Sequence, residues 1–336
     1  MRRKSEKVPL DFISIGDSTL DVFVMINEAS LSCQLSKEEC LLCLDYAEKI
    51  PVEGVTKING AGNASNAAVA ARRLGLRTAI VSIVGKDVLG REIMQGWRDA
   101  KISTKYVQID PERDTNYSTV LIFQGERTIL VHAEPRTYRL PKLDGAKWIY
   151  YTALGPDHNR LETELLAHLG KHPEQKLCFN PGTQHLRRGI ESLKRVVARA
   201  DLFIVNKQEA EHLLQNGERP IINLLTHFIH LGAKNVVITD GPHGSYATDG
   251  KSFWFCPVFP GKIVERTGAG DAYATTFVCA LTWGWSIPDA MRAGTANAQR
   301  VVQFIGPQAG LLNKTGLQKA LKTFARIKAK PYQKKG

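Results

Sequence analysis

No run in this 336-residue chain is apolar for long enough to cross a membrane as a helix. The longest, around Ala272 to Trp285, falls short of the about 20 residues a span needs. The basic start MRRKSEKVPLDF is not followed by the apolar core of a secretory leader, so the sequence reads as that of a cytoplasmic chain. Cysteine is sparse. Cys33, Cys40, Cys43, Cys178, Cys256 and Cys279 are dispersed, as in a reducing compartment. Cys40 and Cys43 form a CxxC with no second Cys or His pair to complete a zinc site. They lie in SKEECLLCLDYAEKI, where a Ser36/Glu39 capping box and amphipathic spacing predict a helix with buried thiols. Acids are few beside bases, 33 against 45, for a formal charge of +12. Residues 1–7 carry +3 and residues 322–336 carry +6, so the body is close to neutral and nucleic acid is not an expected partner.

What is present is a regular alternation. From about residue 145, short apolar or β-branched runs (KWIYYTAL, KLCFN, DLFIVN, KNVVIT) are separated by amphipathic segments such as RLETELLAHLG and HLRRGIESLKRVVARA. That pattern predicts βα units and a mostly parallel sheet with helices on both faces, an α/β doubly wound fold. FISIG and TAIVSIVG add strands, and NASNAAVAARRLG a helix stopped at Gly75. Two stretches break the rhythm. LDVFVMI and NYSTVLIFQGERTILVHAE look like antiparallel strands, the second a hairpin turning at Gln124 to Glu126. Strands leaving an α/β core near its carboxyl ends are placed to cover a ligand crevice, and an edge extension or dimer contact suits them equally.

Three kinds of stretch carry candidate chemistry. In KIVERTGAGDAYATTF, KIVE reads as a strand and DAYATTFVCALTW as a helix, which puts Gly268, Ala269 and Gly270 at a helix N-terminus. Unpaired amides and a positive dipole there suit an anion. The stretch lacks the Lys-Ser/Thr of a Walker A loop and the third glycine of a dinucleotide fingerprint. Asp271 is also an ordinary first-turn acid. The second stretch, NGAGNASNAAVAARRLG, sets Asn63 and Asn66 at another helix start, where they suit sugar hydroxyls or a plain cap. Third, Asn206 and Glu209 stand between a strand and a helix, where Glu209 suits hydrated magnesium or simply the helix dipole. TDGPHG is a turn, with Gly241 and Gly244 free to take positive φ.

In that order these stretches resemble the PfkB, or ribokinase-like, family of carbohydrate and nucleoside kinases. GAGNASNAAVAARRLG…IVGKDVLG is similar to its N-terminal signature and ERTGAGDAY to its C-terminal one, usually D-T-x-G-A-G-D. GDSTLD, NPG, NKQEAE, TDGPHG and ANAQRVVQFIG fall in the expected order, over roughly residues 10–325. The resemblance implies one kinase domain over 10–325, lid segments near 20–28, 52–60 and 104–134, and basic tails at 1–7 and 326–336. It implies ATP and magnesium as requirements. Asp271 would be the base, and the Gly268, Ala269 and Gly270 amides the anion hole. Asp21, Gly62, Asn63 and Asn66 would bind the acceptor. Asn206, Thr239, Gly241, Gly244 and Asn297 would lie along the nucleotide, with Asn206 and Glu209 organising magnesium through water. A pKa held low by the helix N-terminus would still serve, because phosphoryl transfer needs positioning more than a strong base.

Two departures matter. Glu265 replaces the usual Asp at a position linked to monovalent-cation activation, which argues against potassium dependence. Ala61 replaces the first of two usual glycines and so reshapes the acceptor pocket. The expected activity is transfer of the γ-phosphoryl of ATP to a hydroxymethyl group of a pentose or hexose. A nucleoside kinase, with Phe23, Tyr117 or Phe123 stacking on a base, is the alternative, and a non-catalytic ligand-binding protein of the same fold is a further one. A phosphosugar acceptor would need pocket cations, and the sequence does not place Arg113, Arg136 or Arg139. A homodimer through the lid is a further expectation.

Overall fold

The structure is a computed structural model that describes residues 10–33, 40–215 and 220–333. In chain order the strands are β1 (Leu10–Ile15), β2 (Thr19–Ile26), β3 (Ser30–Cys33), β4 (Cys40–Cys43), β5 (Val52–Ala61), β6 (Thr78–Val81), β7 (Ile83–Gly85), β8 (Gln108–Asp110) and β9 (Tyr117–Phe123). There follow β10 (Glu126–His132), β11 (Ala146–Tyr151), β12 (Lys176–Phe179), β13 (Leu202–Asn206), β14 (Val236–Thr239), β15 (Ser245–Thr248), β16 (Phe253–Cys256) and β17 (Lys330–Pro331). The helices are α1 (Asn63–Arg73), α2 (Val88–Asp99), α3 (Asn159–Lys171), α4 (Thr183–Arg187), α5 (Gly189–Arg199), α6 (Lys207–Leu214), α7 (Ile221–His230), α8 (Ala269–Thr282), α9 (Ile287–Val301) and α10 (Lys314–Thr323).

Nine strands form the central sheet in the order β17-β16-β15-β14-β13-β12-β11-β1-β6. From β14 to β6 neighbouring strands run parallel, whereas β15, β16 and β17 pair antiparallel. Both faces are buried, which explains the near-continuous apolar runs of the strands. Phe12, Trp148 and Tyr150 turn to one face and meet α8 and α9 through Tyr273, Phe277 and Met291. Ile13, Ile149 and Tyr151 turn to the other face and meet Leu165, Leu193, Leu213 and Phe228 on α3, α5, α6 and α7. In the sheet β1 lies between β6 and β11, so the strand order reverses there, and such a reversal places a ligand crevice outside the carboxyl ends of the strands.

A second sheet of four strands, β10-β9-β2-β5, stands beside that crevice. Its hairpin turns at Gln124 and Gly125, both at positive φ, as a tight two-residue turn requires. The β9 and β10 strands pair antiparallel, as expected of the hairpin, and β2 is antiparallel to β5 but parallel to β9. Of the expected lid stretch 104–134, Gln108–Asp110 instead pairs with Ile83–Gly85.

Three local expectations are corrected. The CxxC is not helical: Cys40–Cys43 is a strand paired antiparallel with Ser30–Cys33, and Cys33 and Cys40 form a disulfide. Ser36 and Glu39 lie outside the described residues. Leu41 is 64% and Tyr46 97% exposed, so the amphipathic spacing has no core surface against which to bury a helix face. Cys43 is half-buried, while Cys178, Cys256 and Cys279 are buried thiols. KIVE is not a strand either, because the sheet edge beside β16 is taken by Lys330–Pro331, while Val264 and Glu265 donate their amides to Val302 O. Part of the expected basic tail 326–336 therefore closes the sheet, and Tyr332 packs edge-on against Tyr246. Among the described residues, no helix is long and apolar enough to cross a membrane.

Candidate active site

The α8 helix begins where the sequence places it, just after Gly268. That residue has φ 77°, and a Cβ added there would overlap Pro307, so glycine is required on both counts. Ala269 donates its amide weakly to Arg266 O at 3.3 Å. Beside Gly270 there is open space, since a Cβ there would meet nothing within 4 Å. The first turn of the helix is thus open at Gly270, a residue without a side chain.

Asp271 sits in the first turn of α8, and two asparagines from α1 hold its carboxylate. Asn63 Nδ2 donates to Oδ1 at 3.0 Å and Asn66 Nδ2 to Oδ2 at 2.8 Å. The α1 helix starts there because Gly62, at φ 86°, turns the chain close to Asp17 O, where a Cβ would crowd the backbone at 3.0 Å. Burial raises the Asp271 carboxyl to about 6, and the two asparagine bonds offset only part of this. This corrects the expectation of a low pKa: the loss of water outweighs the hydrogen bonds that favour the ionised form.

Asp21 lies on β2 opposite Ile58 and Ser118, buried, with Oδ1 lacking any hydrogen-bond partner among the described residues. Burial raises it to about 6 against the opposing effect of the Ser118 and Thr19 hydroxyls. Asp17, at the end of β1, accepts from Tyr138 Oη at 2.8 Å through Oδ2, and its Oδ1 also lacks a partner. The sequence reading passed over Asp17, whose only signal was its place next to Gly16 in GDSTLD.

On the far side of the crevice Asn206 caps α6, accepting from Glu209 N at 2.8 Å, while Glu209 Oε2 accepts from Asn206 N at 2.9 Å. Burial raises the Glu209 carboxyl, and the nearby Asp271 charge raises it further. The two acids are therefore neighbours in the fold although 62 positions separate 209 from 271. Thr239 ends β14, and a short 3-10 turn over Gly241–His243 follows it. Gly241 is exposed and at φ 49°, whereas Gly244 backs onto Cys256 O. Asn297 is fully buried; it donates to Thr276 Oγ1 at 2.7 Å and accepts from Leu312 N at 2.8 Å. Its side chain braces α8 against α9.

The loop before α8 is fastened by Glu265, which is 1% exposed. Oε1 accepts from the Thr267 amide and hydroxyl, and Oε2 from Gly306 N at 3.3 Å. The next residue, Arg266, reaches Glu126 of the small sheet at 3.5 Å, so the hairpin touches the loop that leads into α8. Among the described residues, His158, Glu162 and His185 bring potential metal ligands within 4.8 Å of one another. Arg188 already donates to His158 Nε2 at 2.6 Å and approaches Glu162, so a cation occupies that corner of the cluster.

Residues 24–314 match the pfkB family carbohydrate kinase profile. The chain belongs to that family. As a pfkB family kinase it is a phosphotransferase with an alcohol group as acceptor. Among curated relatives, an ATP-dependent 6-phosphofructokinase of Thermoanaerobacterium thermosaccharolyticum is 25% identical over 283 residues, 79% of this chain and 85% of that one. The fold is that of ribokinase. A structure of Arabidopsis thaliana ribokinase complexed with ribose and ATP superposes with a TM-score of 0.76 at 20% identity, covering 94% of this chain and 99% of that one. A Methanocaldococcus jannaschii nucleoside kinase of the ribokinase family superposes with a TM-score of 0.73 at 17% identity, covering 94% and 100%.

Proposed function

We propose that this pfkB family kinase transfers the γ-phosphoryl of ATP to a hydroxymethyl group of an unphosphorylated sugar, a pentose or hexose, with Asp271 as base. The observation that carries the reading is the pair of asparagine amides on the Asp271 carboxylate beside the open start of α8. Asn63 and Asn66 direct both oxygens, and Asp21, with a buried unpaired oxygen, supplies an acceptor for a second sugar hydroxyl. The acceptor hydroxyl gives its proton to Asp271 as its oxygen bonds to the terminal phosphorus and the bond to the ADP oxygen breaks. The Gly268, Ala269 and Gly270 segment meets the charge of the transferring group. Asn206, Thr239, Gly241 and Gly244 line the nucleotide side, while Asn297 serves as a brace.

Asn206 and Glu209 would hold a hydrated magnesium ion through water, Glu209 Oε1 lying outside the capping box that joins the two residues. When bound, the ion would supply neutralising charge on the phosphates. No monovalent cation is needed, because the Glu265 oxygens are engaged by Thr267 and Gly306. The four-stranded sheet acts as the lid, with Arg266–Glu126 as a contact of its closed form. Its edge strand β10 is exposed along its whole length, Ile129 to Val131 included, and offers a second copy an edge to pair with.

An unphosphorylated acceptor fits the fates of the arginines. Arg136 pairs with Asp110 at 2.7 Å and Arg139 with Glu164 at 3.0 Å. Phe23 is 1% exposed and lies on the side of the lid that meets Gly306, so it does not offer a free ring to a base. The test is a coupled ADP-release assay with pentoses, hexoses, their phosphates and nucleosides. Turnover confined to free sugars is expected, and turnover confined to phosphosugars or nucleosides overturns the acceptor assignment.

A further inference from the structure

A fourth side chain stands behind the catalytic pair, in a stretch the sequence reading left unused. Gln308 follows Gly306 and Pro307 after α9, and its Nε2 donates to Gly60 O at 2.7 Å and to Asn66 Oδ1 at 3.1 Å. Its backbone is fixed separately, with Arg73 Nη1 donating to Gln308 O at 2.6 Å. A carbonyl oxygen can only accept, so Gly60 decides which end of the Gln308 amide faces inward. The same NH2 group reaches Asn66, which must answer with its oxygen. Asn66 is then left with its NH2 toward Asp271, where it donates at 2.8 Å. Gly60 O is itself held by Ser65 Oγ, which in turn accepts from Trp97 Nε1 at 2.7 Å, so the reference point does not drift.

We propose that Gln308 is a positioning residue: it fixes the orientation of the Asn66 amide so that Asn66 presents a donor, not an acceptor, to the catalytic carboxylate. The inference rests on the reading of Asp271 as base. Without Gln308 the Asn66 amide is oriented by Asp271 alone, and it turns over when that carboxyl is protonated, its oxygen then accepting the carboxyl proton. An arrangement open only to the protonated form disfavours the ionised form of Asp271. The ionisable groups that feel the Asp271 charge are Glu209 at the start of α6 and Tyr150 on β11. Neither is a hydrogen-bond partner of Gln308, so a change at 308 reaches Asp271 through Asn66.

The experiment is a carbon-13 NMR titration of the Asp271 carboxyl, assigned by its absence in Asp271→Asn. It is run on the full chain for wild type, Gln308→Leu and Gln308→Met, each with and without Asn66→Ala. Both remove the donor without adding charge, and Gln308→Met keeps the side-chain length, so one variant suffices if the other fails to fold. The expected result is a midpoint about one pH unit higher in either variant, and no further rise once Asn66 is alanine. In turnover this reads as kcat/KM lowered about fivefold more at pH 6 than at pH 8. An unmoved midpoint, or the same rise in the Asn66→Ala background, overturns the proposal. So does a loss of thermal stability with the midpoint unchanged, which marks a merely structural role. Wild-type turnover in Asp271→Asn would remove the base assignment instead, and the titration would still report whether Gln308 orients Asn66.

Discussion

Asn66 and Asp271, 205 positions apart in the chain, meet at 2.8 Å where the starts of α1 and α8 converge. The contact joins the two stretches that the sequence offered as separate helix starts. It also fixes the ionisation of the carboxylate, since burial raises Asp271 to about 6 and the asparagines oppose that rise.

The pH profile of kcat/KM is expected to fall on the acid side with a midpoint near 6, because the base must be ionised and its folded pKa is raised to about 6. Asp21 is raised to about 6 as well, so the limb should be steeper than a single protonation gives. The stability effect has the opposite sense. A carboxyl with a raised folded pKa contributes fully below its unfolded value and loses that contribution as pH rises through about 6. Asp271→Asn should therefore melt at or above wild type at pH 8, with the gap closing toward pH 4.

The glycines at the start of α8 should separate folding from function. Gly268→Ala forces a Cβ into Pro307 at positive φ and is expected to cost about 2 kcal/mol or more by thermal unfolding. Gly270→Ala meets nothing and should unfold like wild type, yet lose about tenfold or more in kcat if the phosphoryl group lies there.

Potassium should be dispensable. With the Glu265 carboxylate bonded to Thr267 and Gly306, rates in potassium and choline chloride at equal ionic strength should agree within about twofold. Strict activation by potassium would remove this role for Glu265.

The legibility of the sequence followed burial. The strands β11 to β14 read clearly because a parallel sheet covered on both faces demands unbroken apolar runs, and α1 and α8 read clearly because glycines bound them. KIVE carries the letters of a strand but finds no free sheet edge. The amphipathic segment at Cys40 carries the letters of a helix, but its apolar residues meet solvent and a disulfide ties it to β3. Within the site, residue types offered Asp271 and the Asn63/Asn66 pair as separate helix starts, and only the resemblance to the PfkB family joined them. They did not reveal the burial that reverses the expected pKa direction, nor the inward turn of Asn297. Gln308 left no signal of its own, since a single glutamine after Gly-Pro is ordinary; only its place just beyond ANAQRVVQFIG could have marked it.

The role of Asp271 is tested by comparing Asp271→Asn with wild type in phosphoryl transfer to the preferred sugar. Asparagine caps and packs like aspartate but cannot take a proton. The account predicts a loss on the order of 10²- to 10⁴-fold in kcat with folding intact. A variant that keeps the wild-type rate would contradict it.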